Sequence, residues 1–223
     1  MHYISGLFES RELYAFIDDP HVKRGFDAIF AACVLVLILP LLALIAFAIF
    51  VVSGGSPIYS HKRVGLNGRT FGCLKFRSMV SNADEALQNL LEKCPESARE
   101  WQAQRKLRND PRILPIIGHF LRQTSLDELP QFINILRGDM SVVGPRPVVH
   151  DELEKYGARQ SLYLSVRPGL TGPWQIGNRS NDSYENRVKL DADYVSNRNM
   201  AVDLGIILST ARMFMRGRNP DAF

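Results

Sequence analysis

The chain has 223 residues, with 27 Lys and Arg against 23 Asp and Glu, a formal charge of +4, and 46% hydrophobic residues. The charges are excluded from one stretch: between Ala28 and Val52 every residue is apolar apart from Pro40. A single uncharged run beside a polar remainder of ordinary charge density excludes a polytopic membrane protein, a disordered chain and a plain cytosolic globule. One membrane segment and one globular body remain.

Residues 1–22 read as an N-terminal tail, 23–53 as the membrane helix and 54–223 as the globular domain. The start carries Glu9, Glu12, Asp18 and Asp19, unlike the basic start of a secretory signal, and the apolar run is too long for one. A straight helix of that length would span a bilayer core of about 30 Å. Against spanning stands Pro40, which divides the run into two arms of about 18 Å, each about one leaflet deep. Both flanks are also basic, Lys23 and Arg24 before the run and His61, Lys62 and Arg63 after it. A helix that enters, bends at Pro40 and returns keeps both flanks on the cytoplasmic face. Re-entry is therefore the favoured reading, with Pro40 as the helix break.

After the anchor, Pro57–Arg63 and Arg69–Phe76 flank Asn67-Gly68, a pair that tolerates positive φ and suits a β-hairpin. Helices are expected over Ala83–Lys93 and Glu96–Arg108, split by Pro95, as a helical hairpin or a lid. Another is expected over Leu126–Leu136, followed by rigid turns at Gly144-Pro145-Arg146-Pro147 and Arg167-Pro168-Gly169. Met200–Met215 closes the pattern as a helix that could lie in the membrane interface or in the core. Cys33, Cys73 and Cys94 form neither a disulfide framework nor a CxxC motif, and the five histidines offer no zinc spacing. A bound metal would be a hard one held by carboxylates.

Ser125-Leu126-Asp127-Glu128 fits a capping box. Pro130, however, suits a helix's first turn, so Asp127 and Glu128 could instead be two carboxylates at a helix start, where anions are favoured. Glu128 could hold magnesium, which often uses one or two protein carboxylates and takes its other ligands from phosphates. Lys75, Arg77, Arg122, Arg146 and Arg167 are candidate phosphate or substrate ligands, Arg146 presented rigidly between two prolines. Trp174, Gln175, Asn178 and Arg179 follow a rigid turn and offer an aromatic face with amide and guanidinium donors for sugar hydroxyls; as surface and core residues they would do nothing chemical. A net charge of +4 without a recognition motif argues against a nucleic-acid partner.

The order of these motifs resembles the bacterial sugar transferases, the monotopic polyprenyl-phosphate hexose-1-phosphate transferases. The motifs are Lys23-Arg24-x-Phe26-Asp27, the apolar run with Pro40, Arg63-x-Gly65, Lys75-Phe76-Arg77-Ser78-Met79, Ser125 to Gln131, Arg137 to Ser141, Gly144 to Pro147 and Arg167 to Gly172. The chain departs from the family pattern at Leu39, where Ser often precedes the proline, and at Gly177-Asn178-Arg179, where the glycine is displaced. The resemblance implies an α+β fold, a small mostly helical catalytic domain with a β-hairpin, anchored by the re-entrant helix and an interfacial C-terminal helix. It implies catalysis by Asp127 and Glu128 with Mg2+, a UDP-sugar donor, an undecaprenyl phosphate acceptor and the cytoplasmic face of the bacterial inner membrane. A homo-oligomer stays open, and Asp191 matches a family acidic position without an assigned role. The look is closest to exopolysaccharide-initiating galactose phosphotransferases. A UDP-sugar hydrolase and a non-catalytic assembly adaptor are the competing functions.

Overall fold

In the computed structural model, residues 19–104, 107, 110–177 and 183–216 are described. The first element, α1 (Pro20–Ser53), is helical throughout, with Pro40 inside it. Among the described residues it is the one helix long and apolar enough to cross a membrane. It begins three residues before the expected boundary, because Pro20 can occupy a helical first turn without losing a hydrogen bond.

β1 (Ile58–Val64) and β2 (Thr70–Phe76) form a two-stranded sheet. The turn between them works as the sequence implies: Asn67 and Gly68 take φ values of 55° and 76°. A connection this short returns the chain antiparallel. Next come α2 (Ala83–Lys93), α3 (Pro95–Gln104) and α4 (Ile117–Thr124), and then a 3-10 turn over Leu126–Glu128. α2 buries no residue completely, so Leu87, Leu90 and Leu91 are only half covered. The remaining elements are α5 (Gln131–Arg137), β3 (Ser141–Val143), α6 (His150–Glu154), α7 (Gln160–Leu164), β4 (Gly169–Thr171), α8 (Pro173–Ile176), α9 (Tyr184–Asn197) and α10 (Met200–Met215). The limits of α2 and α10 agree with those read from the sequence. The single helix expected over Leu126–Leu136 is instead a 3-10 turn and α5, separated at Leu129-Pro130.

The chain divides into two compact units that interleave in sequence. The first comprises Met1–Ile38, His61–Cys73 and Gln131–Pro220. Its core gathers Val64, Val148, Leu153, Tyr156, Tyr163 and Val188. β3 and β4 pair in parallel, Ser141 opposite Gly169 and Val143 opposite Thr171. The backbones meet so closely beside this pair that a Cβ on Gly169 would lie 2.1 Å from the Gly144 nitrogen, so neither glycine can carry a side chain without moving a strand.

In the same unit the basic flank before the apolar run has a structural job. Arg24 donates to the carbonyls of Ile135 (2.6 Å) and Leu136 (2.7 Å), satisfying the open end of α5. Lys23 donates to Asp27 (2.9 Å) and Ser141 (2.7 Å) and pairs with Asp203 at 3.0 Å, which uses all three of its protons. Read from sequence these two cations were membrane-flank charges; in the fold both are spent on protein oxygens.

The second unit comprises Leu39–Ser60, Leu74–Pro130 and Asp221–Phe223. Its core is Ile45 and Ile49 from the second arm of α1 with Phe76, Leu114 and Leu121; Leu126 and Leu129 pack against it. The segment after β2 runs beside the start of α4: Met79 bridges Ile113, and Leu114 donates to the Ser78 carbonyl at 2.9 Å. Gly118 permits this, since a Cβ there would stand 2.4 Å from the same carbonyl oxygen.

Candidate active site

In the second unit, α4 ends because Ser125 takes a left-handed conformation, φ 54° and ψ 19°. The chain then turns once through Leu126–Glu128, and the buried Pro130 leads into α5. Ser125 makes no side-chain cap; its carbonyl accepts from the Glu128 N–H at 3.2 Å. The capping box read from Ser125 and Glu128 is therefore absent, since a capping residue takes extended backbone and Ser125 is left-handed. The spacing serves another end: Leu126 and Leu129 are drawn into the core, which leaves Asp127 and Glu128 between them as an adjacent carboxylate pair.

Lys75 lies one residue before the buried Phe76 near the end of β2, and alternation along the strand sends it to the opposite face. Its ammonium donates to Glu128 Oε1 at 2.6 Å, with both side chains partly exposed. Burial pushes the Asp127 carboxyl up to about 6; Lys75 opposes that shift, Glu128 adds to it and Arg122 opposes it. Lys75 and Arg122 thus act electrostatically on the carboxylate pair. Arg77 is turned elsewhere, its Nη1 donating to Ser81 Oγ at 3.2 Å and its Nε buried without a partner.

The other candidates belong to the first unit. Arg146 lies with its guanidinium 5.7 Å from the centre of the Trp174 ring, and Arg187 stands 4.8 Å from the same ring. Arg167 is held by a bond from Nε to the Gly138 carbonyl at 2.7 Å and lines a cavity of about 230 Å³ together with Lys23, Asp27, Ser141, Tyr194 and Asp203. Gln175 is buried with Oε1 unpaired. Asn178 and Arg179 lie outside the described residues.

Two groups go beyond the sequence reading, which named Asp191 only as a family acidic position and Lys23 and Asp27 only as motif residues. Arg187 and Asp191, four residues apart on α9, are both buried, and Tyr156 donates to Asp191 Oδ2 at 2.7 Å. Burial pushes the Asp191 carboxyl up to about 6 against the opposing effects of the Tyr156 hydrogen bond, Arg187 and Arg146. The i,i+4 spacing of opposite charges was visible in the sequence; their burial was not. The second group is the Lys23, Asp27 and Asp203 network, of which only the first pair has local spacing.

Among the described residues no cluster of three or more His, Cys, Asp or Glu is arranged to hold a metal. The carboxylate pair nevertheless suits magnesium. Its oxygens are hard donors, and magnesium needs only one or two of them when phosphates supply the rest.

A long apolar helix and, further along the chain, a partly exposed carboxylate pair with Lys75 and Arg122 acting on it fit an enzyme that handles phosphate groups beside a membrane. The chain belongs to the bacterial sugar transferase family, which it matches over residues 19–217. It is 50% identical over 188 residues to the exopolysaccharide production protein ExoY of Rhizobium meliloti, covering 84% of this chain and 83% of that one. It is 45% identical over 195 residues to an undecaprenyl-phosphate galactose phosphotransferase of Salmonella typhimurium, 87% of this chain but 40% of that longer protein. With an undecaprenyl-phosphate glucose phosphotransferase of Komagataeibacter xylinus it shares 36% identity over 212 residues, 88% of this chain and 36% of the relative.

Proposed function

We propose that the chain transfers hexose 1-phosphate from a UDP-sugar to undecaprenyl phosphate, releasing UMP, as the first step in building an exopolysaccharide. The observation that supports this best is the Asp127 and Glu128 pair, with Lys75 bonded to one carboxylate and acting on the other. An Asp127 oxygen attacks the phosphorus bonded to the sugar, the bond to the UMP oxygen breaks, and UMP leaves with the electron pair. A phosphate oxygen of the lipid then attacks the same phosphorus and frees Asp127. Two anions must meet, so cationic screening decides the rate. Lys75 and Arg122, in the same unit as the pair, supply part of it. Magnesium, held by Glu128 and the donor's diphosphate, would neutralise developing charge on the leaving phosphate.

The acceptor is a lipid, and α1 is the proposed anchor. Pro40 lies one residue inside the second compact unit, whose boundary with the first falls at Ile38 and Leu39. The proline inside α1 supports a re-entrant course with both chain ends on the cytoplasmic face. Single-cysteine labelling near Met1 and Phe223 in intact cells should leave both unlabelled by impermeant reagent. Replacing Pro40 by Leu should convert part of the population to a spanning form.

The donor is read as UDP-galactose, preferred over UDP-glucose at least about tenfold, or about 1.4 kcal/mol. Higher identity to the galactose enzyme than to the glucose enzyme supports this. Trp174, Gln175, Asn178 and Arg179 are the proposed readers of the 4-hydroxyl; a site built to pair one hydroxyl penalises its epimer. Competing labelled donors with membranes containing the enzyme checks the preference, and glucose as the main lipid-linked product would reverse it.

The decisive experiment is intact-protein mass after UDP-sugar and magnesium without lipid. Expected is a gain of one hexose phosphate, lost in Asp127→Asn and discharged by undecaprenyl phosphate. Release of sugar phosphate without lipid would point to a hydrolase, and no turnover to an adaptor.

A further inference from the structure

A buried polar atom without a partner is rare in a native protein, because burial removes its water and the fold normally returns a hydrogen bond. Among the described residues five side-chain atoms are in that position, and four of them belong to three residues: Gln175 Oε1, Arg187 Nε and Nη2, and Asp191 Oδ1. These residues are only 6%, 6% and 1% exposed. They are also neighbours within the first unit. Gln175 follows Trp174 on α8, the Arg187 guanidinium stands 4.8 Å from the centre of the Trp174 ring, and Asp191 lies one turn beyond Arg187 on α9.

Arg187 and Asp191 have the spacing to satisfy each other, yet each is held by something else. The guanidinium lies against two rings, Trp174 at 4.8 Å and Tyr184 at 5.1 Å. Asp191 accepts from the Tyr156 hydroxyl through Oδ2 at 2.7 Å, which leaves Oδ1 open. The holders are fixed in turn: Tyr184 donates to the Glu152 carbonyl at 3.0 Å, and the Tyr156 and Tyr184 rings meet edge to face at 6.3 Å. The fold thus keeps one guanidinium edge, one carboxylate oxygen and one amide oxygen open together.

The unpaired atoms define what closes them. Arg187 offers two N–H donors, and Asp191 and Gln175 offer two acceptors. An ionised phosphate diester has no donor and would leave both acceptors bare beside an anion. A uracil ring has one N–H for two acceptors. Two neighbouring hydroxyls, each able to donate and to accept, answer all four atoms. We propose that Arg187, Asp191 and Gln175 form a subsite for two neighbouring sugar hydroxyls of the nucleotide-sugar donor, Asp191 and Gln175 accepting from them and Arg187 donating to them. The inference rests on the reading of the chain as a UDP-sugar transferase and adds Arg187 and Asp191 to the residues that choose the donor. Neighbouring hydroxyls occur on the hexose and on the ribose of that donor.

The test measures binding by calorimetry on the full chain in lipid nanodiscs with magnesium, carrying Asp127→Asn to stop turnover. UDP-galactose is compared with analogues lacking one hydroxyl of the hexose or one of the ribose. Gln175→Met removes an unpaired acceptor, Asp191→Asn puts a donor where the open acceptor stood, and Arg187→Lys keeps the charge but loses the fork. Each should weaken UDP-galactose binding at least about tenfold, while the analogue lacking the contacted hydroxyl should bind the changed chain and its parent within about twofold of each other. The position of the missing hydroxyl in that analogue identifies the sugar as hexose or ribose. Because the Gln175 oxygen has no partner in the fold, Gln175→Met should not lower the unfolding temperature of the ligand-free chain, so the test stands even where a change at Arg187 or Asp191 disturbs folding. Equal losses for UDP-galactose and every analogue, or unchanged affinity for UDP-galactose, would overturn the subsite and leave the transferase reading standing. No binding of UDP-galactose by the parent would overturn both.

Discussion

Lys23 and Lys75 stand at similar distances from carboxylates, 2.9 Å from Asp27 and 2.6 Å from Glu128, yet their surroundings differ. Asp27 and Asp203 keep 3% and 2% of their side-chain surface exposed, whereas Lys75 and Glu128 keep 24% and 21%. In the Lys23 network each charge is matched: Lys23 meets two carboxylates and a hydroxyl, Asp27 also accepts from the Val142 N–H, and Tyr194 donates to Asp203. In the second unit, Asp127 is left with a raised carboxyl. A completed network holds one arrangement; an incomplete one keeps a reactive group and room for a charged ligand.

Asp127→Asn tests the incomplete side, with the largest expected effect. Turnover should fall at least about a thousandfold, about 4 kcal/mol in activation free energy, while the unfolding midpoint at neutral pH should not fall. The sign follows from the raised carboxyl. The fold favours protonated Asp127, so its contribution to stability is present in acid and lost as pH rises from the ordinary carboxylate range through about 6. Denaturant titrations of both proteins between pH 4 and 7 check this, since the variant should lose that part of the pH dependence. A strong drop in stability at neutral pH would make Asp127 structural.

Lys23→Met tests the completed side. It leaves two buried carboxylates facing each other, and unfolding stability should drop by about 3–5 kcal/mol. Urea unfolding in detergent measures it. A loss under about 1 kcal/mol would erase the contrast between the two lysines.

Lys75→Met should show the reverse balance. Partly exposed pairs contribute about 0–1 kcal/mol, so stability should barely change. Lys75 holds the Asp127 carboxyl down, so its removal should move the rise of adduct formation with pH to above about 6. An unmoved profile would show that Lys75 does not act on the nucleophile.

Much of this protein was legible where the determining interactions are local. Ala83–Lys93 and Met200–Met215 follow from apolar spacing, and the hairpin turn from Asn67-Gly68, because period and positive-φ tolerance reside in neighbouring residues. The carboxylate pair was also visible, as two adjacent acidic residues shortly before Pro130. Of its two local readings the capping box fails: Ser125 and Glu128 match it in composition, and the left-handed backbone at Ser125 excludes it.

The sequence by itself therefore determined the long apolar helix, the helices Ala83–Lys93 and Met200–Met215, the hairpin and the acidic pair, since a run of apolar residues or a turn dipeptide acts over a few bonds. Tertiary structure decided which charges are in use. Lys23 finds Ser141, 118 residues away, and Asp203; Lys75 finds Glu128, 53 residues on. The strength of each charge depends on burial and on partners brought from distant parts of the chain, and neither exists until the chain has folded.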